Sequence, residues 1–514
     1  MLEIDFQSGV SEIPVAAKAF PDPVALVLAE RTPRALWQAL RRAARRARVV
    51  ELRLDYLGSV GAMARFLALL ARRRLPRALI ATCRRRAEGG EFAGSPSAQL
   101  AVLQLAARAG CPWVDVEAAT LEQFPAWLRP ALLPLAGRIV SFHDFRGTPA
   151  RLERMYRRLA RLGADRVKIA VTARSQADNL AVLDLARRHR GRVIALSMGM
   201  AGVPGRVLAL GAGSALAYAA PEGGPATAPG QIPWSEFRDS YRAQRLNART
   251  RVYGVIGQPI AHSLSPAMHN AAFRAARLNA VYLPFEVATL RDFLDCLAPL
   301  DVAGFSVTLP HKEAVLRYLD GIDPLAEQIG AVNTVVVRGG GRLYGYNTDY
   351  VGILRALQDA IRLHASRVLL VGAGGAARAV AFALATAGAF ICVTARRPAA
   401  ARALARAVSG EALPRAALRR QRFDAIINCT PVGQAPQALD SPLAAGELNA
   451  RVVVDLVYNP RETRLLRLAR RRGCRTVAGW QMLVEQGAAQ YEIWTGLRAP
   501  VAAMRRAVLA RLPN

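Results

Sequence analysis

The first half of the chain alternates short apolar runs with longer stretches rich in Ala, Leu and Arg. Each run has the length of a buried strand, and each stretch has helical periodicity. Eight such βα repeats predict a closed (β/α)8 TIM barrel, in which functional side chains gather at the carboxyl ends of the strands. The predicted strands are residues 24–29, 49–56, 77–83, 113–118, 138–142, 166–170, 192–197 and 215–220.

The pattern changes after residue 220. A Gly/Pro-rich segment is followed by a polar stretch at 234–249 that is predicted to be helical, and this is the main domain boundary. We predict an α/β protein with the barrel at 1–235, a linker at 236–250, a smaller α/β domain at 251–360 and a Rossmann domain at 361–480. C-terminal helices at 481–514 are predicted to return to the domain at 251–360.

Composition indicates a folded protein that is neither membrane-spanning nor stabilised by disulfides. The chain has 514 residues, 52% of them hydrophobic, and no apolar run is long enough to cross a bilayer. Its start contains acids and lacks the basic and apolar regions of a secretory signal. Six cysteines are scattered without the spacing of a metal site or a disulfide framework. We therefore predict a cytoplasmic protein with no membrane partner and no metal.

The net charge of +32 raises the hypothesis of nucleic-acid binding, because clustered arginines can neutralise phosphates. The arginines, however, lie in Ala/Leu-rich periodic segments, such as 41–48, 157–161 and 470–472, as they do on solvated helix faces. No recognition motif or aromatic stacking platform accompanies them. We predict small anionic substrates and no nucleic-acid partner. An arginine-rich nucleic-acid binder that inherited an enzyme scaffold is the alternative from a different class.

Lysine is rare in this arginine-rich chain, which keeps only Lys18, Lys168 and Lys312 among its 70 basic residues. An arginine stays protonated in proteins, whereas a lysine can lose its proton and form a Schiff base. Lys168 lies on the sixth apolar run, so its retention indicates chemistry that a guanidinium cannot perform. The alternative is chance survival of one lysine. Lys18, near the N-terminus, has no assigned role.

Polar side chains fall late in the predicted barrel strands, which places them at one barrel mouth. Glu51, Arg53 and Asp55 alternate and therefore share one side of their strand, the inner side if the barrel forms. A mouth of this composition suits imine chemistry on an anionic ketone, in which Lys168 attacks the carbonyl and His143 removes an adjacent proton. Taken alone, His143 would more often be a core histidine. The remaining polar residues at the strand ends are Arg84, Glu88, Asp115 and Glu117.

The motifs along the barrel resemble those of type I 3-dehydroquinate dehydratase. They are Val-Val-Glu51-Leu-Arg53-Leu-Asp55, Thr82-Cys-Arg84 with Glu88-Gly-Gly, Ser141-Phe-His143-Asp-Phe, Val-Lys168-Ile-Ala, Ser197-Met-Gly and Ala228-Pro-Gly-Gln231. The resemblance implies that Lys168 forms an imine with the C3 ketone of 3-dehydroquinate, that His143 abstracts the C2 proton and that Glu88 orients the histidine. It also implies a substrate-binding set of Glu51, Arg53, Arg84, Arg206, Thr227 and Gln231.

Two positions depart from the pattern of that family. Gly205 stands before Arg206 where the family usually has Ser, and Thr227 stands where a Ser usually precedes Ala-Pro-Gly-Gln. Thr keeps a hydroxyl, so only Gly205 removes a polar group. The placement of Arg206 is the feature that this change would affect.

A second group of functional candidates begins after Val252. A strand runs into a Gly/Pro turn with Ser263 and Ser265, and then into a helix predicted at 267–277, so hydroxyls lie at a strand end where ligands bind in open α/β sheets. His262 and His269 have no third metal ligand nearby, and we interpret them as loop and helix-surface residues.

Lys312 and Asp349 follow separate predicted strands of the second half. A lysine and an aspartate at neighbouring strand ends can share a proton relay at a substrate hydroxyl, since each holds the charge state of the other. From the residues alone, a structural salt bridge explains the pair equally well.

Residues 367–377 combine a buried strand, a G-x-G-x-x-A turn and a helix start. The glycines allow a tight turn and a close approach of the backbone to a pyrophosphate at the helix N-terminus. A second strand is predicted at 390–394. An acid after it would select the 2′-hydroxyl of NAD(H), but Ala395, Arg396 and Arg397 follow instead. Arginines suit a 2′-phosphate, so the sequence predicts NADP(H) as cofactor.

These motifs resemble shikimate dehydrogenase over residues 252 to about 500, together with Asn428-Cys-Thr-Pro-Val-Gly, Asp455-Leu-Val-Tyr458-Asn-Pro and Gly479-Trp-Gln-Met-Leu-Val-Glu-Gln486. The resemblance implies that Lys312 and Asp349 are the catalytic pair. It implies a shikimate-binding set of Ser263, Ser265, Thr308, Asn333, Asn347, Tyr458 and Gln486. It implies a cofactor-binding set of Gly372, Ala373, Gly374, Gly375, Ala376, Ala377, Thr394, Arg396, Arg397, Thr430 and Gly479.

Two positions in this half also differ from the usual pattern. Ser306 stands where many single-function members have Asn, which makes it similar to the fused plant-type enzymes. Ala395 stands where the NADP-binding loop often has Asn, while Arg396 is retained.

Together the two resemblances predict a bifunctional enzyme of the shikimate pathway, which leads to chorismate and the aromatic amino acids. The barrel would dehydrate 3-dehydroquinate to 3-dehydroshikimate, and the second half would reduce that ketone to shikimate with NADPH. A preference of the second half for quinate is the alternative, because the contacts to the polyol would be nearly the same. A homodimer is compatible with the sequence, which does not fix an oligomeric state.

Overall fold

The computed structural model describes residues 20–73, 78–224 and 226–512 and divides the chain into two compact units, Met1–Arg249 and Thr250–Asn514. Both units are α/β. None of the helices in the described ranges is long and apolar enough to cross a membrane. Lys18 lies outside the described residues.

The first unit is built on eight parallel strands. They are β1 (Val24–Leu28), β2 (Val49–Arg53), β3 (Ala78–Thr82), β4 (Trp113–Glu117), β5 (Gly137–Asp144), β6 (Arg166–Thr172), β7 (Val193–Met198) and β8 (Ala217–Ala219). Their order is β7-β6-β5-β4-β3-β2-β1-β8. At the seam, the backbone N–H of Ala215 donates to the carbonyl oxygen of Val193 at 2.8 Å, so the barrel is nearly closed.

Helices follow the strands of the first unit and cover the barrel, as βα repeats require. They are α1 (Pro33–Ala43), α2 (Val60–Ala71), α3 (Pro96–Arg108), α4 (Ala118–Leu121), α5 (Arg129–Leu132), α6 (Leu152–Ala160), α7 (Gln176–Arg188) and α8 (Val203–Ala212). Apolar side chains that alternate along the strands, such as Val27, Val49 and Ile80, fill the interior below the polar mouth.

All eight predicted strands are present, with small shifts at their ends. The largest shift is at β2, which stops at Arg53 because Leu54–Leu57 form a 3₁₀ turn. The alternation had predicted Asp55 as a strand residue, but it lies in the turn after the strand. Its carboxylate nevertheless turns back and pairs with Arg53 through two hydrogen bonds of 3.0 and 2.8 Å.

The segment predicted as a helical linker at 236–250 lies almost entirely in the first unit, which extends to Arg249. It forms a π-helical turn, Glu236–Ser240, and a 3₁₀ turn, Ala243–Arg245, rather than a continuous helix. Phe237 is fully buried, and Arg238 pairs with Asp22 at 2.6 Å. These contacts attach the segment to the barrel, so it is part of the first unit and not a separate linker.

The second unit begins with a mixed six-stranded sheet. Its strands are β9 (Arg251–Gly257), β10 (Ala280–Glu286), β11 (Val302–Val307), β12 (Gly321–Ile322), β13 (Thr334–Val337) and β14 (Leu343–Tyr346). The order is β10-β9-β11-β13-β14-β12, and β13 runs antiparallel to both of its neighbours. Its helices are α9 (Ser265–Ala275), α10 (Leu290–Leu294), α11 (Pro324–Ile329) and α12 (Thr348–Leu357).

A parallel six-stranded sheet follows in the same unit. Its strands are β15 (Arg367–Val371), β16 (Phe390–Thr394), β17 (Glu411–Ala412), β18 (Phe423–Asn428), β19 (Ala450–Asp455) and β20 (Arg475–Ala478), and its helices are α13 (Gly375–Thr386), α14 (Pro398–Ala407) and α15 (Arg464–Arg471). The order β17-β16-β15-β18-β19-β20 reverses direction at β15, which is the Rossmann topology. Ligands bind at such a switch point, where β15 ends and α13 begins.

Two helices complete the second unit, α16 (Gly479–Thr495) and α17 (Val501–Leu509). Their apolar residues Val484, Tyr491 and Met504 share a core with Tyr253 and Val255 of β9. The C-terminal part of the chain therefore packs on the mixed sheet, although α16 begins beside the end of the Rossmann sheet.

Candidate active sites

A cavity at the carboxyl ends of the barrel strands brings the predicted polar residues together. It encloses about 520 Å³, including space open to solvent. Such a volume is typical of a site for a small molecule. Every site residue predicted for the barrel lines this cavity: Glu51, Arg53, Arg84, Glu88, His143, Lys168, Arg206, Thr227 and Gln231.

Lys168 is the buried amine of this cavity, with only 5% of the residue exposed. Strand β6 directs its side chain inward, where Nζ donates a hydrogen bond to Asp115 Oδ2 at 2.8 Å. Glu51 Oε1 lies 3.6 Å from the same nitrogen, and the ring centre of Tyr218 lies 4.1 Å from it. Nζ is thus held by groups on other strands, which fixes the atom that would attack a carbonyl.

Asp115 is the centre of the buried charge network. Besides Lys168, it accepts hydrogen bonds from Arg84 Nη2 at 2.8 Å and from Ser141 Oγ at 2.6 Å. Burial alone would raise the pKa of Asp115, but the positive charges of Arg84 and Lys168 hold it well below its usual range. Asp115 is therefore a carboxylate at neutral pH. It balances the charges of the lysine and the arginine beside it.

His143 and Glu88 form a second pair. His143 Nδ1 lies 3.1 Å from Glu88 Oε2, which also accepts a hydrogen bond from the His143 backbone N–H at 3.2 Å. Burial, together with the cations Arg84 and Lys168, lowers the pKa of His143 well below its usual value. Burial raises the pKa of Glu88 to about 7, against the opposing charge of Arg84. His143 is consequently neutral near pH 7 and can accept a proton.

Arg206 provides a buried positive charge with only 2% of the residue exposed. Burial lowers its pKa to about 10, and no carboxylate in the described part of the chain pairs with it. Its Nη2 donates only to the Pro229 carbonyl oxygen at 3.2 Å. An unpaired buried guanidinium is unfavourable, so an anionic ligand in the cavity would supply the missing partner.

Gly205, next to Arg206, packs closely against two buried side chains. A Cβ atom on Gly205 would lie 2.3 Å from Asn179 Oδ1 and 2.5 Å from Ser197 Oγ. At this position helix α8 therefore lies close to the side chains of Asn179 on α7 and Ser197 on β7. The departure from the usual Ser does not remove Arg206 from the cavity, which it still lines.

The second unit contains a larger cavity of about 1510 Å³, again including space open to solvent. It is lined by the ends of both sheets and by α16. The predicted site residues that line it are Ser263, Ser265, Thr308, Lys312, Asn333, Asp349, Ala376, Tyr458, Gly479 and Gln486.

Lys312 and Asp349 form the central ion pair of this cavity. Lys312 Nζ lies 2.7 Å from Asp349 Oδ2, while Asn333 Nδ2 donates to Asp349 Oδ1 at 2.8 Å. Both carboxylate oxygens are thus occupied, which fixes the plane of the Asp349 side chain. Asn333 is held in turn, because its Oδ1 accepts from the Thr348 backbone N–H at 2.7 Å.

Asn347, which was predicted to contact shikimate, is not among the residues that line this cavity. It is buried, and its side-chain amide donates to the Ala331 carbonyl oxygen at 2.9 Å. Its Oδ1 accepts from the Asp349 backbone N–H and so caps helix α12. The side chain is outside the cavity wall and acts on the site by placing Asp349.

His269 is also not on the helix surface as predicted. It is fully buried, and its Nε2 lies 3.2 Å from Gln490 Oε1, which accepts a hydrogen bond from Ser306 Oγ at 3.0 Å. Ser306 Oγ in turn lies 2.6 Å from Tyr282 OH. This chain supports the floor of the cavity, which Ser306 and Gln490 line.

The turn after β15 has the form of a dinucleotide-binding site. Gly372 has a φ of +115°, which residues with a side chain rarely adopt. Thr430 lies directly beside Gly372. No atom lies within 4 Å of a Cβ placed on Gly374 or Gly375, so the backbone at the start of α13 is open to a ligand. An open helix N-terminus of this kind accommodates a pyrophosphate.

The remaining predicted cofactor residues differ in exposure: Thr394 is buried and Ala373 is partly buried. Ala377 is fully buried in the core that packs against the Rossmann sheet. Arg396 and Arg397 follow β16 and are exposed, where a 2′-phosphate could reach them. The donor set therefore fits NADP(H), since positive charge rather than an acid stands after the second strand.

Several polar cavity residues were not predicted as contacts, among them Tyr218, Ser306 and Gln490. Tyr218 is the single aromatic residue in the eighth predicted strand, and Gln490 follows Gln486 by one helical turn. The isolated aromatic residue and the one-turn spacing could both have been recognised in the sequence. The identity of Asp115 as the partner of Lys168 was not, because the two residues come from separate strands.

Family models match both units. A type I 3-dehydroquinase model matches residues 24–248, and a shikimate dehydrogenase substrate binding domain matches residues 255–335. A shikimate 5′-dehydrogenase C-terminal domain matches residues 479–509. A model described as coenzyme F420-dependent NADP oxidoreductase matches residues 367–459, which contain the glycine turn.

Named relatives match the same regions. A bifunctional 3-dehydroquinate dehydratase/shikimate dehydrogenase, chloroplastic, from Arabidopsis thaliana is 36% identical and covers 88% of this chain and 78% of the relative. A shikimate dehydrogenase (NADP(+)) from Moorella thermoacetica is 46% identical over 51% of this chain and 94% of the relative. A solved shikimate dehydrogenase in complex with NADP+ is 39% identical, covers 52% of this chain and 98% of its own, and has a TM-score of 0.50.

The fold and the two cavities define a two-part enzyme that combines a lyase with a nicotinamide-dependent oxidoreductase. More particularly, the chain belongs to the bifunctional 3-dehydroquinate dehydratase/shikimate dehydrogenase family. The predictions of a TIM barrel followed by shikimate dehydrogenase-like and Rossmann domains, of both shikimate-pathway activities and of NADP(H) are thereby confirmed.

The pair of Glu88 and His143 predicts a pH dependence of the dehydratase. When His143 accepts a proton, the Glu88 carboxylate stabilises the resulting imidazolium. Because the pKa of Glu88 is about 7, this carboxylate is lost as the pH falls through 7. We expect kcat/KM for 3-dehydroquinate to fall by up to about tenfold per pH unit below 7. In Glu88→Gln the rate should be lower and this limb should be absent.

The shikimate dehydrogenase activity of the same chain, measured in the same buffers, controls for loss of folding. A Glu88→Gln protein whose dehydratase profile keeps the wild-type limb below pH 7 would contradict the assignment of that limb to Glu88.

Proposed function

We propose that the barrel dehydrates 3-dehydroquinate through an imine at Lys168. The observation that supports this most directly is a buried amine held by Asp115 and Glu51 in one cavity with His143 and Arg206. Lys168 releases a proton to solvent and its free amine adds to the C3 carbonyl carbon. The carbonyl oxygen leaves as water, and the nitrogen keeps one hydrogen and a positive charge.

His143 then takes the proton from the neighbouring C2 carbon, and the electron pair moves toward the cationic nitrogen. When the pair returns, the ring hydroxyl leaves as water with a proton that His143 supplies. Hydrolysis of the imine releases 3-dehydroshikimate and restores the amine. Asp115 accepts a hydrogen bond from the nitrogen of Lys168 before the reaction, and the imine retains one N–H that can keep this bond.

Substrate recognition in the barrel follows from which donors are free. Arg206 lacks a carboxylate partner among the described residues and therefore holds the substrate carboxylate. Arg53 uses Nε and Nη2 on Asp55, which leaves Nη1 for a ligand. Arg84 donates hydrogen bonds to Asp115, Ser141 and Glu117, and its positive charge adds to the attraction for an anionic substrate. The ring hydroxyls are left to Glu51, Thr227 and Gln231.

In the second unit, Lys312 and Asp349 handle the proton at the carbonyl oxygen of 3-dehydroshikimate. Bound NADPH supplies the hydride for this reduction. Lys312 donates a proton to the oxygen that becomes the hydroxyl of shikimate, and Asp349, fixed by Asn333, holds the lysine in place. Ser263 and Ser265 lie at the start of α9 and hold the substrate carboxylate. Thr308, Tyr458 and Gln486 complete the substrate contacts.

We further propose that the chain acts in the cytoplasm. All six cysteines are free, and five of them are buried, as expected where thiols stay reduced. The relative from Arabidopsis thaliana is chloroplastic by name. Fractionation of the source cells, with each activity measured in each fraction, tests this location.

Borohydride reduction tests the imine. Treatment of the chain with borohydride and 3-dehydroquinate should attach one substrate mass to Lys168, which peptide mass spectrometry would locate. Lys168→Arg should lose dehydratase activity by at least about 10⁴-fold, because a guanidinium cannot form the imine. Its shikimate dehydrogenase activity should be unchanged, which shows that the chain is folded. A normal rate of dehydration by Lys168→Arg would contradict the mechanism.

The cofactor assignment is tested by replacing the exposed arginine after β16. Arg396→Ala should reduce kcat/KM for NADPH by about 10- to 100-fold, because a charge-assisted hydrogen bond to the 2′-phosphate is lost, while kcat/KM for NADH stays the same. Arg406→Ala, a change of an exposed arginine at the far end of α14, is the matched control. An unchanged preference for NADPH in Arg396→Ala would count against the assignment.

A further inference from the structure

Tyr218 lines the barrel cavity but has no part in the steps above. It is the middle residue of β8, and alternation along a strand directs its side chain into the barrel while Ala217 and Ala219 face outward. Only 3% of the residue is exposed. Its ring centre lies 4.1 Å from Lys168 Nζ, so it is a direct neighbour of the reacting nitrogen.

The hydroxyl of Tyr218 is buried and has no hydrogen-bond partner in the described part of the chain. Buried tyrosine hydroxyls usually find one, and leaving such a group unsatisfied destabilises the structure. Burial, with a further contribution from the negative charges of Glu51 and Asp115, raises the pKa of Tyr218 well above its usual value. The group is therefore a neutral phenol that can donate. Since Tyr218 lines the cavity, a molecule bound there can supply the acceptor.

The ring of Tyr218 acts on the same nitrogen in a different way. Lys168 Nζ carries positive charge as an ammonium and again as a protonated imine. The face of a tyrosine ring attracts a cation, and more strongly where water is excluded. Asp115 and Glu51 contact this nitrogen through carboxylates, at 2.8 and 3.6 Å. The ring adds a neutral contact that stabilises the charge without taking a proton.

We propose that Tyr218 is a further substrate-contacting residue of the dehydratase. Its hydroxyl donates a hydrogen bond to a ring hydroxyl of the bound polyol ketone, and its ring stabilises the positive charge on the Lys168 nitrogen when the imine forms. The proposal rests on the proposed imine at Lys168. Its two parts belong to different atoms of one side chain, so two substitutions separate them.

Tyr218→Phe removes only the hydroxyl, and Tyr218→Leu also removes the ring. We expect Tyr218→Phe to raise KM for 3-dehydroquinate about 5- to 20-fold with kcat changed less than about threefold, as for one lost hydrogen bond. Tyr218→Leu should in addition slow borohydride-trapped imine formation about tenfold. Because the hydroxyl has no hydrogen-bond partner among the described residues, the Tm of Tyr218→Phe should equal or exceed that of the original chain.

Tyr156→Phe is the matched control, since Tyr156 lies on α6, stacks on His189 and does not line the cavity. It should leave KM and kcat unchanged. Shikimate dehydrogenase activity, which belongs to the second unit, should be the same in all variants.

Three results would overturn the proposal. An unchanged KM in Tyr218→Phe would show that the hydroxyl does not contact substrate. A lowered Tm in the same variant would assign the hydroxyl to an internal structural bond. Equal imine formation in Tyr218→Phe and Tyr218→Leu would remove the role of the ring. Failure of the original chain to trap substrate on Lys168 is a separate outcome, because it would reject the imine itself before any variant is compared.

Discussion

The pairing of buried charges at the barrel mouth is the constraint on which the dehydratase site depends. Ionised groups taken out of water are strongly unfavourable unless each finds a partner. Here Asp115 binds both Arg84 and Lys168, and Glu117 binds Arg84 from the other side. Both carboxylates lie on β4, Lys168 lies on β6 and Arg84 follows β3, so the charges meet only when these strands pair in the barrel. Correct folding of the barrel and correct assembly of the site are therefore the same event.

The two active sites use their lysines in different surroundings. Lys168 is almost completely enclosed and touches two carboxylates and an aromatic ring, which suits an atom that forms a covalent bond. Lys312 has 27% of its side chain exposed and a single carboxylate partner, Asp349. A lysine that only donates a proton needs access to a substrate oxygen and to solvent, which resupplies the proton. Neither of the two proposed tasks can be done by a guanidinium, which would account for lysine at both positions in an arginine-rich chain.

The sequence predicted the eight barrel strands and most of the polar residues that line the two cavities, because each lies in a short local motif. The features that it did not predict have a common physical cause, which is that they depend on contacts between distant segments. Phe237 and Arg238 were predicted as linker, since nothing local shows that Asp22 is the partner of Arg238. His269 was predicted at a helix surface, because the burial that Gln490 and Ser306 create is invisible along one helix. Asn347 lies in a binding motif, but its side chain serves as a helix cap.

Helix α16 connects the two halves of the oxidoreductase site in a way that a loop could not. Gly479, at its start, approaches the carbonyl oxygens of Leu456 and Val457 so closely that a Cβ would lie 2.6 Å from each. Gln486 follows seven residues later on nearly the same side of the helix, about 10 Å along its axis. The helix thus fixes the distance between Gly479 and Gln486, which both line the cavity. One inserted residue between them would turn Gln486 by about 100°, so the length of this segment is as much a part of the site as its side chains.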